Sequence, residues 1–334
     1  MNPNSLQLRP LGRSGVYVTA LGFGGGPLGN LRRPISDHAA ADTVEATWDA
    51  GIRYFDVAPL YGHGRSEARL GRGLREKPRT EFVLSTKVGR LLRSPASQNF
   101  ERHGFVDTPE MAVVYDYSRD GALRSLEESF ARLGLERADI VLIHDVDRWT
   151  HGDRQPEVFT QALDGAYRAL ADLKAADVVG AIGIGVNEWQ VCRDFALRAP
   201  IDCVLLAGRY TLLEQEAARE FLPLCLERGI GVIVGAPFNS GILATGPVTG
   251  AQYNYAAAPA SVVERVTHIK AVVEAHGVSL PAAALAFPLR HPAVAAVIPG
   301  LMSVEEVAWA KASATTPVPA ALWDALATAG LVEI

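Results

Sequence analysis

Short, continuously apolar runs recur along the chain, bounded by glycine or proline, and between them lie longer stretches whose apolar positions fall three or four residues apart. Runs of the first kind occupy residues 18–23, 179–186, 201–206, 231–235 and 293–298, together with the segments around Tyr54, Phe82 and Ile140. Strands buried on both faces of a parallel sheet are apolar throughout rather than alternating, so these eight runs read as parallel strands. The intervening stretches predict helices at 37–50, opened by a Ser36-Asp37 cap, and at 66–76, 118–133, 157–176, 189–199, 215–228, 262–276 and 303–312. Eight strand–helix units predict an α/β fold, a (β/α)8 TIM barrel. Residues 6–19, folded around the turn-forming Gly12-Arg13-Ser14-Gly15, predict an N-terminal β-hairpin, and 279–290 and 318–328 are extra helices outside the eightfold count.

Two connections exceed the usual few residues, 89–117 and 238–260, and loops of that length tend to carry function. Both follow strands at their C-terminal ends, the side on which barrels build their sites. We expect them to wall a cleft, with Trp149 as a third wall. Strand–helix alternation resumes after each, so residues 1–334 are expected to form a single domain.

Composition narrows the partners. Hydrophobic residues make up 49% of the 334 and the net charge is -5, with no basic stripe of the kind that binds nucleic acid. No uninterrupted apolar segment reaches the roughly 18 residues that span a bilayer, and Met1-Asn2-Pro3-Asn4-Ser5 is unlike a secretory leader. A cytoplasmic location, a small-molecule substrate and no membrane partner are the expectation, with the oligomeric state open. Cys192, Cys203 and Cys225 are odd in number and lack CxxC spacing, so we expect core thiols rather than disulfides or a metal site.

Three of the apolar runs end in titratable groups. Asp56 closes the run around Tyr54, with Tyr61 five residues on; Lys87 follows the run 81–86, and His144 the run 139–143. A buried carboxylate requires a cation or donors. If the barrel gathers these four, Asp56 holds Lys87 charged, the ammonium lowers the pKa of the Tyr61 phenol, and His144 bonds the oxygen on which Tyr61 acts. Such a set moves protons at a carbonyl or hydroxyl. With no activated nucleophile or metal cluster among them, the electrons of a redox step must come from a cofactor.

Residues 51–62, Gly-Ile-Arg-Tyr-Phe-Asp-Val-Ala-Pro-Leu-Tyr-Gly, with Ser66-Glu67 and Leu70-Gly71, resemble the signature of the aldo-keto reductases. Ser85-Thr86-Lys87, Leu142-Ile143-His144, Pro237 with Gly241-Ile242-Leu243, and Ile298-Pro299-Gly300 are similar to later motifs of that family. The resemblance implies a TIM barrel that binds a nicotinamide cofactor, with Asp56, Tyr61, Lys87 and His144 as catalytic tetrad and Tyr61 as general acid and base. Gly183 to Trp189 and the opening Leu11 to Gly15 look most like the branch of L-fucose and D-threo-aldose 1-dehydrogenases, which resembles the pyridoxal 4-dehydrogenases. That implies oxidation of an aldose at C1 to the lactone, with pyridoxal oxidation or NADPH-dependent aldehyde and ketone reduction as alternatives. Potassium-channel beta subunits share the motifs, so a nicotinamide-binding regulatory subunit is the reading from another class.

For the cofactor, the resemblance implies Asn187 for the carboxamide, one place later than usual, and Tyr210 against the nicotinamide ring. The phosphates are expected near Phe238-Asn239-Ser240-Gly241 and Ser303, where backbone N–H groups of a loop and a helix start can receive anions, with Pro237, Gly24 and Gly300 as further cofactor contacts. Where many NADP-preferring members carry an arginine this chain has Met302, so NAD is expected over NADP, with Glu305 or Glu306 at the adenosine. Substrate would meet Tyr61, His144 and Trp149, within loops around 100–117 and 253–255. Gly24-Gly25-Gly26-Pro27-Leu28-Gly29 satisfies GxGxxG, but Asn30 to Pro34 follow where that fingerprint needs a helix. We expect Gly24 to Gly26 to let the backbone approach a ligand instead.

Overall fold

A computed structural model describes residues 6–333. Eight parallel strands follow one another around a single sheet: β1 Phe23–Gly24, β2 Tyr54–Asp56, β3 Val83–Val88, β4 Ile140–His144, β5 Ala181–Val186, β6 Cys203–Ala207, β7 Gly231–Gly235 and β8 Val294–Ile298. Bridges Leu21 to Val297 and Gly24 to Gly300 bring β1 back to β8, so the sheet is a near-closed (β/α)8 barrel. Around it lie α1 Asp37–Asp49, α2 Arg65–Leu74, α3 Arg119–Leu133, α4 Tyr167–Ala175, α5 Trp189–Arg198, α6 Phe221–Arg228, α7 Ala260–Ala275, α8 Leu280–Leu289, α9 Val304–Thr315 and α10 Ala320–Thr328. The hydroxyls of Ser36 and Ser118 cap α1 and α3 by accepting from Ala39 N and Gly121 N, as the sequence predicts. Among the described residues no single helix is long and apolar enough to cross a membrane.

The core has two compartments. The larger packs the outer faces of the strands against the helices; the smaller fills the barrel with Leu11, Val18, Tyr54, Ile140, Leu142, Cys203, Leu205 and Ile233 among others. Leu11 and Val18 come from the N-terminal hairpin, whose strands Leu8–Pro10 and Tyr17–Thr19 pair antiparallel. Its turn lies against the start of β7, and a Cβ on Gly12 would stand 2.3 Å from the carbonyl oxygen of Gly229. The hairpin therefore stops the end of the barrel where the strands begin, and the opposite end is left for a site. Cys192, Cys203 and Cys225 are buried thiols in this packing.

Three expectations need correction. The run 18–23 is split: residues 17–19 belong to the hairpin, and the barrel strand shortens to Phe23–Gly24 because Val18 is needed as part of the plug. The helix expected over 157–176 is Gln155–Gln161, a π-turn Ala162–Ala166, and α4. The Ala166 N–H donates to the carbonyl of Tyr117, outside the helix, which opens the ladder there. The helix expected from 215 starts at Phe221, since Pro223 is tolerated only within a first turn.

Candidate active site

β2, β3 and β4 carry Asp56, Lys87 and His144 to the same end of the barrel. Tyr61 follows β2 in a tight turn seated on residues 26–29. A Cβ on Gly29 would stand 2.5 Å from Gly62 N, and one on Gly62 would stand 2.3 Å from Gly29 O, so both positions exclude side chains. Gly24 and Gly25 are similarly closed, against Pro299 O at 2.9 Å and Asp56 O at 2.6 Å. These two glycines thus serve barrel closure, and Gly24 also lines the cleft. Only Gly26 has open space and lines the cleft with Gly24.

Lys87 is the hub of the cluster. Its Nζ donates to Asp56 Oδ1 at 2.9 Å and Oδ2 at 2.8 Å, to the Val57 carbonyl at 3.1 Å and to Tyr61 Oη at 3.1 Å. Ser85 Oγ adds a donor to Asp56 at 2.7 Å and is itself bonded to Tyr54 Oη. Lys87 and Asp56 are 1% and 2% exposed, so the pair is desolvated; it holds because every polar atom is met. Burial opposes the ammonium, but Asp56 and Tyr61 outweigh it and the Lys87 pKa is raised.

The Tyr61 phenol departs from expectation. Burial raises its pKa to about 12, more than Lys87 lowers it, so the resting group is a protonated phenol. His144 meets the Tyr61 ring edge-on at 6.1 Å between centroids. Burial, with Arg90 and Lys87 nearby, drops its pKa well below the usual imidazole value, so it is neutral. Its Nε2 lies 3.3 Å from Asp145 Oδ2, and its Nδ1 is buried with no partner among the described residues. The Tyr117 hydroxyl donates to the His144 carbonyl at 2.7 Å and fixes the strand end.

These groups open into a cleft of about 520 Å³. Trp149 and both long connections wall it, the latter through Glu101, His103, Phe105, Tyr115 and Tyr255. Phe105 packs 6.3 Å from the Tyr61 ring. Gly185, Val186 and Asn187 lie on the far wall, where the Asn187 N–H is held by Asp147 Oδ2 at 3.0 Å. A second groove of about 840 Å³ continues from the first, sharing Pro27, Leu31, Ala236, Tyr255 and Gly300. Pro237, Phe238, Ser240, Gly241, Met302 and Glu306 line it. Gly241 has φ +104° with nothing near its Cβ position, and Ser240 Oγ accepts from Tyr255 N at 3.0 Å, tying the loop 238–260 across the junction. A long groove with a glycine cradle, running from a proton-transfer cluster to a helix start, fits an extended dinucleotide.

Two of the expected cofactor contacts are not brought to the groove. Gly208, with φ +65°, turns the chain after β6, and Tyr210 packs on Phe287 at 5.4 Å and near His291 instead of lining either cavity. Ser303 caps α9 by accepting from Glu306 N at 3.2 Å and is not among the lining residues. The region around Met302 also has the cation the sequence reading denied it. Arg33, from the connection before α1, donates to Met302 Sδ at 3.0 Å and to Glu306 at 3.2 Å, and Arg32 lines the same groove. Sequence reasoning also missed Arg90 and Asp145, which line the cleft beside His144. Asp145 was within reach, as a second acid directly after a strand-end histidine.

The description of the aldo/keto reductase family matches residues 20–328. The chain is 44% identical to a pyridoxal 4-dehydrogenase of Microbacterium luteolum over all of both chains, and 40% identical to a D-threo-aldose 1-dehydrogenase of Pseudomonas over 96% of each. Among solved structures it resembles, in fold, an aldo-keto reductase of Bacillus halodurans in its holo form, with a TM-score of 0.77 at 23% identity, covering 98% of this chain and 97% of that one. The chain belongs to the aldo/keto reductase family.

Proposed function

We propose that this protein is an NAD-linked aldose 1-dehydrogenase, oxidising the ring hemiacetal of an aldose such as L-fucose to the lactone. The observation that carries the reading is the single Lys87 ammonium bonded to both Asp56 and Tyr61 Oη beside a neutral His144, in a cleft that continues into a second groove. The 40% identity to a D-threo-aldose 1-dehydrogenase supports the substrate class. Bound in the groove, the nicotinamide cofactor supplies the acceptor for the two electrons of the C1–H bond. Tyr61 takes the proton of the C1 hydroxyl as phenolate, Lys87 stabilises that charge, Asp56 holds Lys87, and His144 bonds the same oxygen and orients it. Run backwards, the protonated phenol supplies a proton to a carbonyl oxygen. Asn187, Gly24 and Gly300 line the nicotinamide end, and Pro237, Phe238, Ser240 and Gly241 the phosphates. NAD rather than NADP is supported by Glu306, whose carboxylate already occupies Arg33 and would repel a 2'-phosphate.

A second reading, oxidation of pyridoxal, is favoured by the 44% identity over the full length of that relative. Steady-state rates with L-fucose, D-arabinose, other aldoses and pyridoxal, each with NAD and NADP, separate the two. Turnover of pyridoxal with none of any aldose rejects the first. Tyr61→Phe is expected to cut kcat by about 10²–10⁴-fold while NADH binding, followed by fluorescence, is nearly unchanged; retained turnover would remove Tyr61 from proton transfer.

A further inference from the structure

Arg90 begins the strand Arg90–Arg93, the first limb of a hairpin in the connection after β3, and lines the cleft next to His144. It is 3% exposed, yet only Nη2 is engaged, with Asp145 Oδ2; Nε and Nη1 are buried with no partner among the described residues. A buried guanidinium with two idle donors facing a cleft is unfavourable unless an oxygen of water or of a ligand meets them. Its Cζ lies over the Tyr115 ring, 5.2 Å from the centroid, within cation–π range. Asp145 is complementary: Oδ2 accepts from Arg90 and lies 3.3 Å from His144 Nε2, while Oδ1 accepts no hydrogen bond among the described residues. Its backbone sits at φ +47°, a conformation rarely adopted by aspartate, and is pinned there by Asp145 N to Gly185 O at 2.9 Å and by Tyr117 Oη and His151 Nε2 on its carbonyl. Glu101 and His103, 3.2 Å apart, set a second acid–base pair on the cleft wall.

We propose that Arg90 and Asp145 form the subsite for the hydroxyl groups that flank the reacting carbon, so that the cleft selects polyhydroxylated substrates. A guanidinium donor beside a carboxylate acceptor matches a hydroxyl, which accepts from one and donates to the other. An anionic group would meet Asp145 and Glu101 with like charge, so the site does not suit a carboxylate or phosphate. The inference deepens the aldose reading and rests on it for the reacting group.

The test uses the NADH complex of the whole chain and 1,5-anhydro-L-fucitol, which keeps the ring hydroxyls but lacks the one at C1 and cannot react. It is expected to bind the wild-type complex, and Arg90→Met to weaken binding by at least about tenfold. In turnover, the ratio of kcat/KM for L-fucose to that for propanal reduction is expected to fall by at least about thirtyfold, with Arg90→Lys intermediate. No binding of the anhydro sugar to wild type, equal binding to both proteins, or equal loss on both substrates overturns the subsite; the wild-type arm decides even if the variant misfolds. Failure of wild type to oxidise any aldose overturns the aldose reading separately, because anhydro-sugar binding is read without turnover.

Discussion

At Tyr61 two influences oppose each other, and burial wins over the neighbouring ammonium, leaving a phenol whose pKa is pushed up to about 12. The pH dependence follows with its sign fixed. Oxidation needs the deprotonated oxygen, so kcat for oxidation is expected to rise with pH, by about tenfold per unit where proton transfer limits. Reduction needs the proton, and its kcat is expected to stay level over the same range. On the proposed aldose reading, Asp145, raised to about 6 by burial against the pull of Arg90, is expected to add a second inflection near that pH in kcat/KM for sugars. An oxidation rate that falls toward alkaline pH would contradict the phenolate role. These residues differ in how legible they are. Asp56, Lys87 and His144 can be read from the sequence because each ends an apolar run. Arg90 cannot: it opens a long connection with no periodicity, and nothing local says that its guanidinium folds back under a tyrosine.

Helix and strand positions were largely readable, since apolar runs and serine caps are local signals. Departures arise where a distant partner intervenes, as when the Tyr117 carbonyl takes the Ala166 N–H and splits one helix. Close approaches between elements are invisible for the same reason. Gly71 on α2 touches the end of α3: a Cβ there would lie 1.9 Å from the carbonyl oxygen of Leu133, and backbone cannot yield as a side chain does. Gly71→Ala is expected to destabilise the fold by about 1–3 kcal/mol, seen as a lowered urea midpoint with the m-value unchanged. An unaltered midpoint would mean that the two helices can separate freely.

Across the whole molecule, the second groove, where we propose the adenosine lies, brings together residues 273 positions apart, Arg33 and Glu306. The local motif after Pro299-Gly300 reads as lacking a cation, and only the folded chain supplies one. Glu306→Ala releases Arg33 and is expected to shift the kcat/KM ratio toward NADP by about tenfold, roughly 1.4 kcal/mol. If the ratio stays put, Arg33 does not face the ribose.

The hairpin that stoppers the barrel has a practical side. Tyr17 stands 58% exposed on it, across the full depth of the barrel from the His144 rim. A dye, bead or sensor surface attached at that foot holds the molecule upright, with its mouth turned to the solution.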